Sequence, residues 1–237
     1  NVVELLAGKV ASLPDDTQQI LKVAASVGSQ FDLDTLAVCC GSLFNVEALS
    51  AVGGTTNDAV LKALHAALAE GLLTPSEDRY RFVHDRIQQA VYSLIPDAER
   101  VRLHLRIGEL LLEKTPVDQQ ENNLFDIVNQ YNQGLELVTT PEKRDLLAEL
   151  NLRAGRKAKL SSAFKPAGEY LETGIGLLRP DHWQSQYELS LNLFTEAAET
   201  AYNMGAFEPM AQKIDAVLQN SRDLLDTIRP YAIRINA

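Results

Sequence analysis

The feature that most constrains the fold of this chain is an internal repeat in its last third. A pattern of alanines, one aromatic residue and one proline occurs twice, with the same offset of 43 residues at every matched position. Alanines four residues apart lie on one face of a helix and let a second helix approach closely. A proline fits the first turn of that second helix, where no amide donor is needed. We expect the aromatic residue to fill the turn, so that each copy forms a helical hairpin. The matched residues are Ala154, Ala158, Ala163, Phe164 and Pro166 in the first copy, and Ala197, Ala201, Ala206, Phe207 and Pro209 in the second.

Stacked hairpins of this kind resemble tetratricopeptide repeats, although the usual period is about 34 residues. The helical period continues through the rest of residues 97–237, and no strand pattern occurs there. A further helix is predicted over Asp226–Arg234, so we expect the array to continue past Ala237. Residues 97–237 are therefore predicted to form a TPR-like helical repeat domain that is incomplete at its C-terminus. Earlier long helices are predicted over Asp97–Lys114, Asn122–Leu137 and Glu142–Leu160.

The first 96 residues combine short helices with one hairpin. Apolar residues at three- and four-residue spacing predict helices that end at Pro14, at Gly28 and at Gly71, with a short helix over Leu33–Cys40 between the last two. We expect Asp15 or Asp16 to cap the second helix.

An alternation with a period near two follows, in Leu72–Thr74 and again in Tyr80–Val83, on both sides of a polar turn. This pattern predicts a β-hairpin, and Asp85–Leu94 then returns to helix. Three short helices, a hairpin and a further helix are the order of a winged-helix domain. The predicted fold class is mainly α: a winged-helix-like domain with a small β-hairpin over residues 1–96, followed by TPR-like α-helical hairpin repeats.

Enzyme motifs are absent from the sequence. It has no phosphate-binding loop ending in Gly-Lys-Ser/Thr, no nucleophile elbow and no zinc-binding helix motif. The Gly-rich stretch at Gly53-Gly54 lacks the lysine and is predicted to be a loop between helices. The histidines lack metal-ligand spacing, and each is expected to be structural or on the surface: His65, His84, His104 and His182. We predict no catalytic residue and no metal site, and therefore no enzyme activity in this chain.

The charge of the chain bears on its partners. The net charge is −10, and the acidic excess is spread over both predicted domains. An acidic surface repels phosphate backbones, so we expect no nucleic-acid partner. A winged helix nevertheless invites one alternative function, a DNA-binding regulator with a helical-repeat sensor domain. Its recognition helix would be Asp58–Glu70, which carries Lys62 as its one basic residue besides a histidine, and its wing would offer Arg79 and Arg81 beside acidic neighbours. A basic group at Arg153–Lys159 is expected to be a solvated face.

The cysteines and the chain start indicate a cellular location. Cys39 and Cys40 are adjacent within an apolar pattern, which predicts buried free thiols in a reducing compartment. No run approaches the roughly 20 apolar residues of a membrane span, and the start has no secretory signal. We expect a cytoplasmic protein without a membrane partner. The chain has no initiator Met, and we expect it to be the middle of a longer protein.

The segment after the hairpin resembles a known family. Phe82-Val83-His84-Asp85-Arg86-Ile87-Gln88-Gln89-Ala90-Val91-Tyr92 is similar to the Phe-x-His-Asp-Arg-x-Gln-Gln-Ala-x-Tyr signature of large bacterial STAND/AAA-type ATPases. Those signalling proteins often carry a Ser/Thr kinase domain in front, and GAF and histidine-kinase domains behind. The resemblance covers most of the chain, because further stretches look like the same family: Ile95–Arg100, Leu103–Gly108, Leu124–Asn129 and Leu150–Gly155.

The resemblance implies a chain order of NTPase domain, winged-helix domain, helical repeats and output modules. This chain looks like the middle two. The partners implied are the upstream NTPase domain and the downstream output domains of the same chain, together with a protein or peptide on the repeats. ATP or ADP with Mg is implied for the full-length protein, and no cofactor for this segment. The implied function is a non-catalytic regulatory and interaction segment of a signal-transduction ATPase or kinase.

The resemblance also implies a nucleotide-sensing pair. In related STAND switches a Met-His-Asp motif opens the last helix of the winged-helix domain, and its histidine contacts the β-phosphate of ADP. Val83-His84-Asp85 matches this motif at His84 and Asp85, with Val in place of Met. A helix N-terminus offers amide donors and partial positive charge to a phosphate. Such a site needs the NTPase domain that this chain lacks. The alternative is structural: His84 fixes the hairpin against the helix, and Asp85 caps the helix.

Overall fold

A computed structural model describes residues 2–43, 56–77 and 79–237. The predicted loop at Gly53-Gly54 and residue Asp78 of the predicted hairpin turn lie outside the described residues. The described residues contain thirteen α-helices and one small antiparallel sheet, which confirms the mainly α fold class with a β-hairpin.

The chain forms two compact units, which are described separately. The first consists of Asn1–Gln120 with Asn129–Leu137, and the second of Glu121–Val128 with Val138–Ala237. The division is one of packing, and the predicted domain boundary after residue 96 stays a prediction.

The first unit alternates helices with three short strands. Its breaks follow local chemistry: Pro14 separates the first two helices, and Gly71 ends α4 in a positive-φ conformation that glycine adopts without strain. Pro14 occupies the N-cap position of α2 and no side chain caps the helix there, but the predicted Asp16 accepts a 2.7 Å hydrogen bond from the first-turn amide of Thr17. The elements are α1 Val2–Ala11, α2 Asp15–Val27, β1 Gln30–Asp32, α3 Leu33–Leu43, α4 Thr56–Ala69, β2 Leu73–Ser76, β3 Arg79–Phe82, α5 Asp85–Ser93 and α6 Asp97–Lys114; α7 Leu124–Gln133 passes from the second unit into the first and precedes a 3-10 turn at Leu135–Leu137.

The sheet has the order β1-β3-β2, and both pairings are antiparallel. The predicted hairpin is β2 and β3, with Leu73 opposite Phe82. Strand β1 was not predicted, because three residues are too few to show an alternation. Its central residue Phe31 is buried opposite Tyr80, and its ring lies 6.0 Å from that of Phe82.

The core of the first unit joins α2, α3, α4 and the sheet, and it includes Ile107 of α6. Cys39 and Cys40 are free and buried in this core, as predicted. Burial raises the pKa of the Cys39 thiol to about 12, with a smaller contribution from Asp32, and it also raises the pKa of Cys40. Both side chains therefore act as small apolar core residues.

The second unit consists of helices joined by short turns, with no strand among its described residues, and its sequence repeat is also a structural repeat. Helices α9 and α12 begin at the matched residues Phe164 and Phe207, and both have 14 residues. His182 begins the short helix α10. The elements are α8 Pro141–Leu160, α9 Phe164–Leu177, α10 His182–Ser185, α11 Tyr187–Asn203, α12 Phe207–Asn220 and α13 Leu224–Asn236.

The turns of the two hairpins have the same backbone conformation. Ser162 and Gly205, which match at the 43-residue offset, both have positive φ, at 57° and 69°. The next amide in each copy donates a 2.9 Å hydrogen bond to the carbonyl five residues back, from Ala163 to Ala158 and from Ala206 to Ala201. These bonds supply partners for carbonyls at the end of the first helix.

The aromatic residue does not play its predicted role in the second copy. Phe207 is 53% exposed, so it does not fill that turn. The positive-φ residue and the backbone bond close the turn instead. The predicted close approach of the helices is confirmed. In the first copy it includes Gly155, where an added Cβ would lie 2.6 Å from Cγ of the buried Leu171.

Across the parts of the chain that the structure describes, we find no helix with both the length and the apolar character of a membrane span.

Candidate functional site

The predicted sensor pair lies where β3 passes into α5. Phe82 is buried, and its amide donates to the carbonyl of Ser29, while the amide of Val83 donates to the carbonyl of Leu72. On the other side of the junction, Ile87 is buried on the inner face of α5. Between these anchors, His84, Asp85 and Arg86 lie on the surface.

His84 is the N-cap of α5. Its backbone is extended, and its ring Nδ1 accepts a 3.2 Å hydrogen bond from the amide of Arg86. Because Nδ1 accepts, the proton of the neutral ring resides on Nε2. His84 therefore satisfies one amide of the helix N-terminus and keeps a second ring nitrogen that can donate to an external group.

Asp85 is the first residue of α5, and its side chain is exposed. A carboxylate in this position stabilises the helix through the helix dipole. The residue that caps the helix is His84, so the part of the structural alternative that assigned the cap to Asp85 is wrong. The structure brings the two predicted residues together at one exposed corner. Exposed Arg86 follows them in the first turn.

A buried chain of hydrogen bonds fixes the same helix at its other end. Tyr92 Oη lies 2.7 Å from Nε2 of the buried His104, and His104 Nδ1 lies 2.7 Å from Oε1 of Gln130. Gln130 Nε2 donates at 2.8 Å to the carbonyl oxygen of Ser26. We call these three side chains, Tyr92, His104 and Gln130, the polar relay.

The direction of each bond in the polar relay follows from its last member. Gln130 donates through its nitrogen, so its oxygen accepts, and His104 Nδ1 must carry a proton. Nε2 of the neutral ring is then an acceptor, and the Tyr92 hydroxyl donates to it. Burial lowers the pKa of His104, and Arg100 lowers it further, whereas the hydrogen bond that His104 donates to Gln130 raises it. Burial likewise raises the pKa of Tyr92. Both pKa shifts favour the neutral forms of His104 and Tyr92.

The polar relay also completes the C-terminus of α2. The last carbonyls of a helix have no partner within it. Gln130 donates to Ser26 and, at 3.3 Å, to Val27, while Gln88 of α5 donates at 3.0 Å to Ala25. Helix α5 is thus tied to the end of α2 directly through Gln88 and, from Tyr92, through the polar relay.

Sequence reasoning missed the polar relay and treated His104 as an isolated histidine. A signal was present, since Gln88 and Tyr92 belong to the signature segment, His104 to the stretch Leu103–Gly108, and Gln130 directly follows Leu124–Asn129. No pairing could be read from these positions, because their contacts join residues up to 104 positions apart.

A second polar cluster lies in the second unit and is centred on the buried Glu196 of α11. Its carboxylate accepts from Arg156 at 3.1 Å, from Arg229 at 3.0 Å and from Lys159. Burial alone would raise the pKa of Glu196, but the bonds from Arg229 and Lys159 outweigh it and lower this pKa to about 2. Lys159 and Arg229 also bind Glu199. We call this set, Arg156, Lys159, Glu196, Glu199 and Arg229, the Glu196 cluster.

The expectation of a solvated face holds for Arg153 and Arg156, whose side chains are 42% and 41% exposed, but not for Lys159, whose side chain is 15% exposed. Arg156 and Lys159 belong to the Glu196 cluster, Arg153 pairs with Glu121 at 2.7 Å, and Lys157 donates to the carbonyl of Glu121. Carboxylates and a carbonyl compensate these cations, so the group does not form a track of free positive charge. In the described ranges, no three His, Cys, Asp or Glu side chains are grouped so that they could hold a metal ion.

Comparison with known proteins finds one informative similarity. The chain is 25% identical to hybrid signal transduction histidine kinase G of Dictyostelium discoideum, over an alignment of 284 positions. The alignment covers 94% of this chain but 8% of that protein, so the chain spans a small part of the relative's length. No protein-family profile and no solved structure matches the chain.

Proposed function

We propose that this chain is a non-catalytic regulatory and protein-interaction segment of a multidomain signal-transduction protein. In this proposal the first unit reports the nucleotide state of an upstream NTPase domain to the helical repeats, and the repeats contact output domains or a protein partner. The observation that carries the proposal is the similarity along nearly the whole chain to a small part of a much longer protein that is named as a signalling kinase.

The element order of the first unit supports a winged-helix role. From α2 to β3 the described elements run helix, strand, helix, helix, strand, strand, and β1 pairs with the hairpin strand β3 to complete the sheet. This is the order of a winged helix, and it includes a strand that the sequence did not reveal. The resemblance of the signature segment supports a candidate sensor at the start of the helix that follows the hairpin.

The chemistry at His84 suits a phosphate ligand. The ring already caps its own helix through Nδ1, so Nε2–H is the nitrogen that can donate to an external phosphate oxygen. The N-terminus of the nine-residue α5 adds partial positive charge. The negative charge of Asp85 disfavours an anion nearby, so in this proposal Asp85 stabilises the N-terminus of α5 and does not bind the phosphate. The nucleotide and its Mg ion belong, in this proposal, to the upstream domain.

The proposal is tested in the longer protein that carries the preceding nucleotide domain. We expect His84→Ala to weaken ADP binding by roughly 10- to 100-fold, because a hydrogen bond to a charged group contributes about 1.5–3 kcal/mol. The matched control is His65→Ala, since His65 is an exposed histidine on α4 of the same unit. Isothermal titration of ADP gives both affinities. Equal affinity in wild type and His84→Ala would leave the chain without a nucleotide-sensing role.

The alternative function, a DNA-binding regulator, has weaker support. Arg79, Arg81 and Lys62 are exposed, but the chain as a whole carries a net charge of −10. We expect no sequence-dependent DNA binding at physiological salt.

A further inference from the structure

Helix α13 carries more exposed large apolar side chains than any other described element. Their exposed fractions run from 48% to 82%. A spacing of four, three and four residues places four of them on one face of the helix: Leu224, Ile228, Tyr231 and Ile235. A contiguous apolar surface of this kind marks an interaction site. We call it the α13 stripe: Leu224, Leu225, Ile228, Tyr231 and Ile235.

The other sides of α13 are already packed. Pro230 and Ile233 are buried, and Ile233 lies in one core with Ile214 of α12. On a third side, Arg229 joins the Glu196 cluster on α11. The helix is therefore fixed in place, and the α13 stripe is the face that remains open.

The neighbours of α13 are those of a first helix in a hairpin. Helix α11, the first helix of the second copy, packs on α9 through Leu193, which shares a core with Leu171. Helix α13 likewise packs on α12, and its Ile233 shares a core with Ile214. Each of the two earlier first helices is also covered by the second helix of its own hairpin. In the first hairpin, Leu171 of α9 fills the space at Gly155 of α8. In the second hairpin, Met210 of α12 and Ala201 of α11 lie in one core. In the described chain α13 has no such cover.

We infer that α13 is the first helix of a third hairpin, and that the α13 stripe is the docking surface for the second helix of that hairpin, formed by the residues that follow Ala237 in the longer protein. Helices α9 and α12 start 43 residues apart, so this helix is expected to begin at about residue 250. It should be amphipathic, with large aliphatic residues in the places of Leu171 and Ile214. The inference does not depend on nucleotide sensing by His84.

The test measures whether the α13 stripe becomes covered when the chain is longer. Ile228→Cys is placed in the 237-residue chain and in the natural chain extended by about 35 residues, enough for one further helix of the array. Reaction with a maleimide is then timed. The native Cys39 and Cys40 are buried, and their pKa values are raised, so the unmutated chain supplies a low blank. The matched control is Leu160→Cys, at the exposed end of α8.

We expect Ile228→Cys and Leu160→Cys to react at similar rates in the 237-residue chain. In the extended chain Ile228→Cys should react at least ten times more slowly, while Leu160→Cys is unchanged. Ile235→Cys repeats the test if the first variant does not fold by circular dichroism. Equal rates for the stripe position in both lengths would overturn the inference. Protection in the 237-residue chain that grows with protein concentration would also overturn it, because a second copy would then be the occupant.

Discussion

Tyr92 and His104 form a 2.7 Å hydrogen bond in which the tyrosine is the donor and the unprotonated Nε2 of the histidine accepts. Tyr92 lies on the same helix as His84, so the bond connects the candidate sensor helix to α6 and, through Gln130, to the end of α2. A helix held in this way can move only if the polar relay breaks or moves with it. Any movement of α5 that transmits a change at His84 to the rest of the first unit therefore depends on how stable the polar relay is.

Removing the Tyr92 hydroxyl should destabilise the first unit. Tyr92→Phe leaves Nε2 of the buried His104 without its donor, and an unsatisfied buried acceptor costs about 1–3 kcal/mol. Urea denaturation followed by circular dichroism measures the free energy of unfolding. Tyr231→Phe, on an exposed tyrosine of α13, should change it by less than about 0.5 kcal/mol. A Tyr92→Phe variant as stable as wild type would remove the relay from this account.

The polar relay should make stability depend on pH. The pKa of His104 is lowered in the folded chain, so the unfolded chain binds the proton more readily. The stabilising contribution is complete above the unfolded pKa of about 6.5 and is lost as the pH falls below it, toward the folded pKa. We expect the free energy of unfolding to fall from pH 7.5 to pH 5.8, and to fall less in His104→Gln. His182, whose pKa burial also lowers, contributes in the same direction and is unchanged in the variant. Identical slopes for the two proteins would contradict the prediction.

The Glu196 cluster should contribute most to the stability of the second unit at neutral pH. Glu196→Gln leaves three cations without their shared carboxylate, and because two of them are partly exposed we expect a loss of about 2 kcal/mol. The folded pKa of Glu196 is about 2, so its contribution is present above the unfolded pKa of about 4.3 and is lost as the pH falls from there toward 2. Thermal unfolding at pH 7 and pH 3 measures both effects. Glu188→Gln, on an exposed residue of the same helix, is the control. An equal loss in both variants would exclude a special role for Glu196.

The positive φ at Ser162 and Gly205 should make residues with a Cβ less stable than glycine at these two turn positions. Gly205→Ala places a Cβ in a left-handed conformation and should cost about 1–2 kcal/mol. Gly176→Ala is the matched control, because it lies inside α9 with open space around it and should stabilise the helix by about 0.5–1 kcal/mol. Conversely, Ser162→Gly should relieve strain in the first turn. Opposite signs for the two alanine variants in thermal unfolding are the expected result, and equal signs would contradict it.

Local sequence signals predicted most helices and the hairpin, because each rests on short-range chemistry. Pro14 and Gly71 mark breaks, and the alternation before and after residue 78 marks β2 and β3. The offset of 43 residues predicted two hairpins whose second helices start at matched positions. Strand β1 was missed because it gains its identity from pairing with β3, some 50 residues later.

The candidate site was predicted only in part, for the same reason. His84 and Asp85 could be named because they are neighbours within one recognisable segment. Tyr92, His104 and Gln130 come from three helices, and Glu196 meets cations from α8 and α13. No local pattern encodes such contacts, so neither the ion pairs of Arg156 and Lys159 nor the burial of Lys159 could be predicted. The exposure of Phe207 shows the same limit, since burial depends on the neighbouring helices.

The most direct test of the proposed function separates the two roles of His84. Asparagine is a strong N-cap, so His84→Asn should keep the start of α5 and the stability of the chain while removing the outward ring nitrogen. In the longer protein with the nucleotide domain, we predict that His84→Asn leaves thermal unfolding unchanged but weakens ADP binding by roughly 10- to 100-fold, the loss expected for one hydrogen bond to a charged group. ADP binding equal to that of wild type in the His84→Asn protein would contradict the account and reduce His84 to a helix cap.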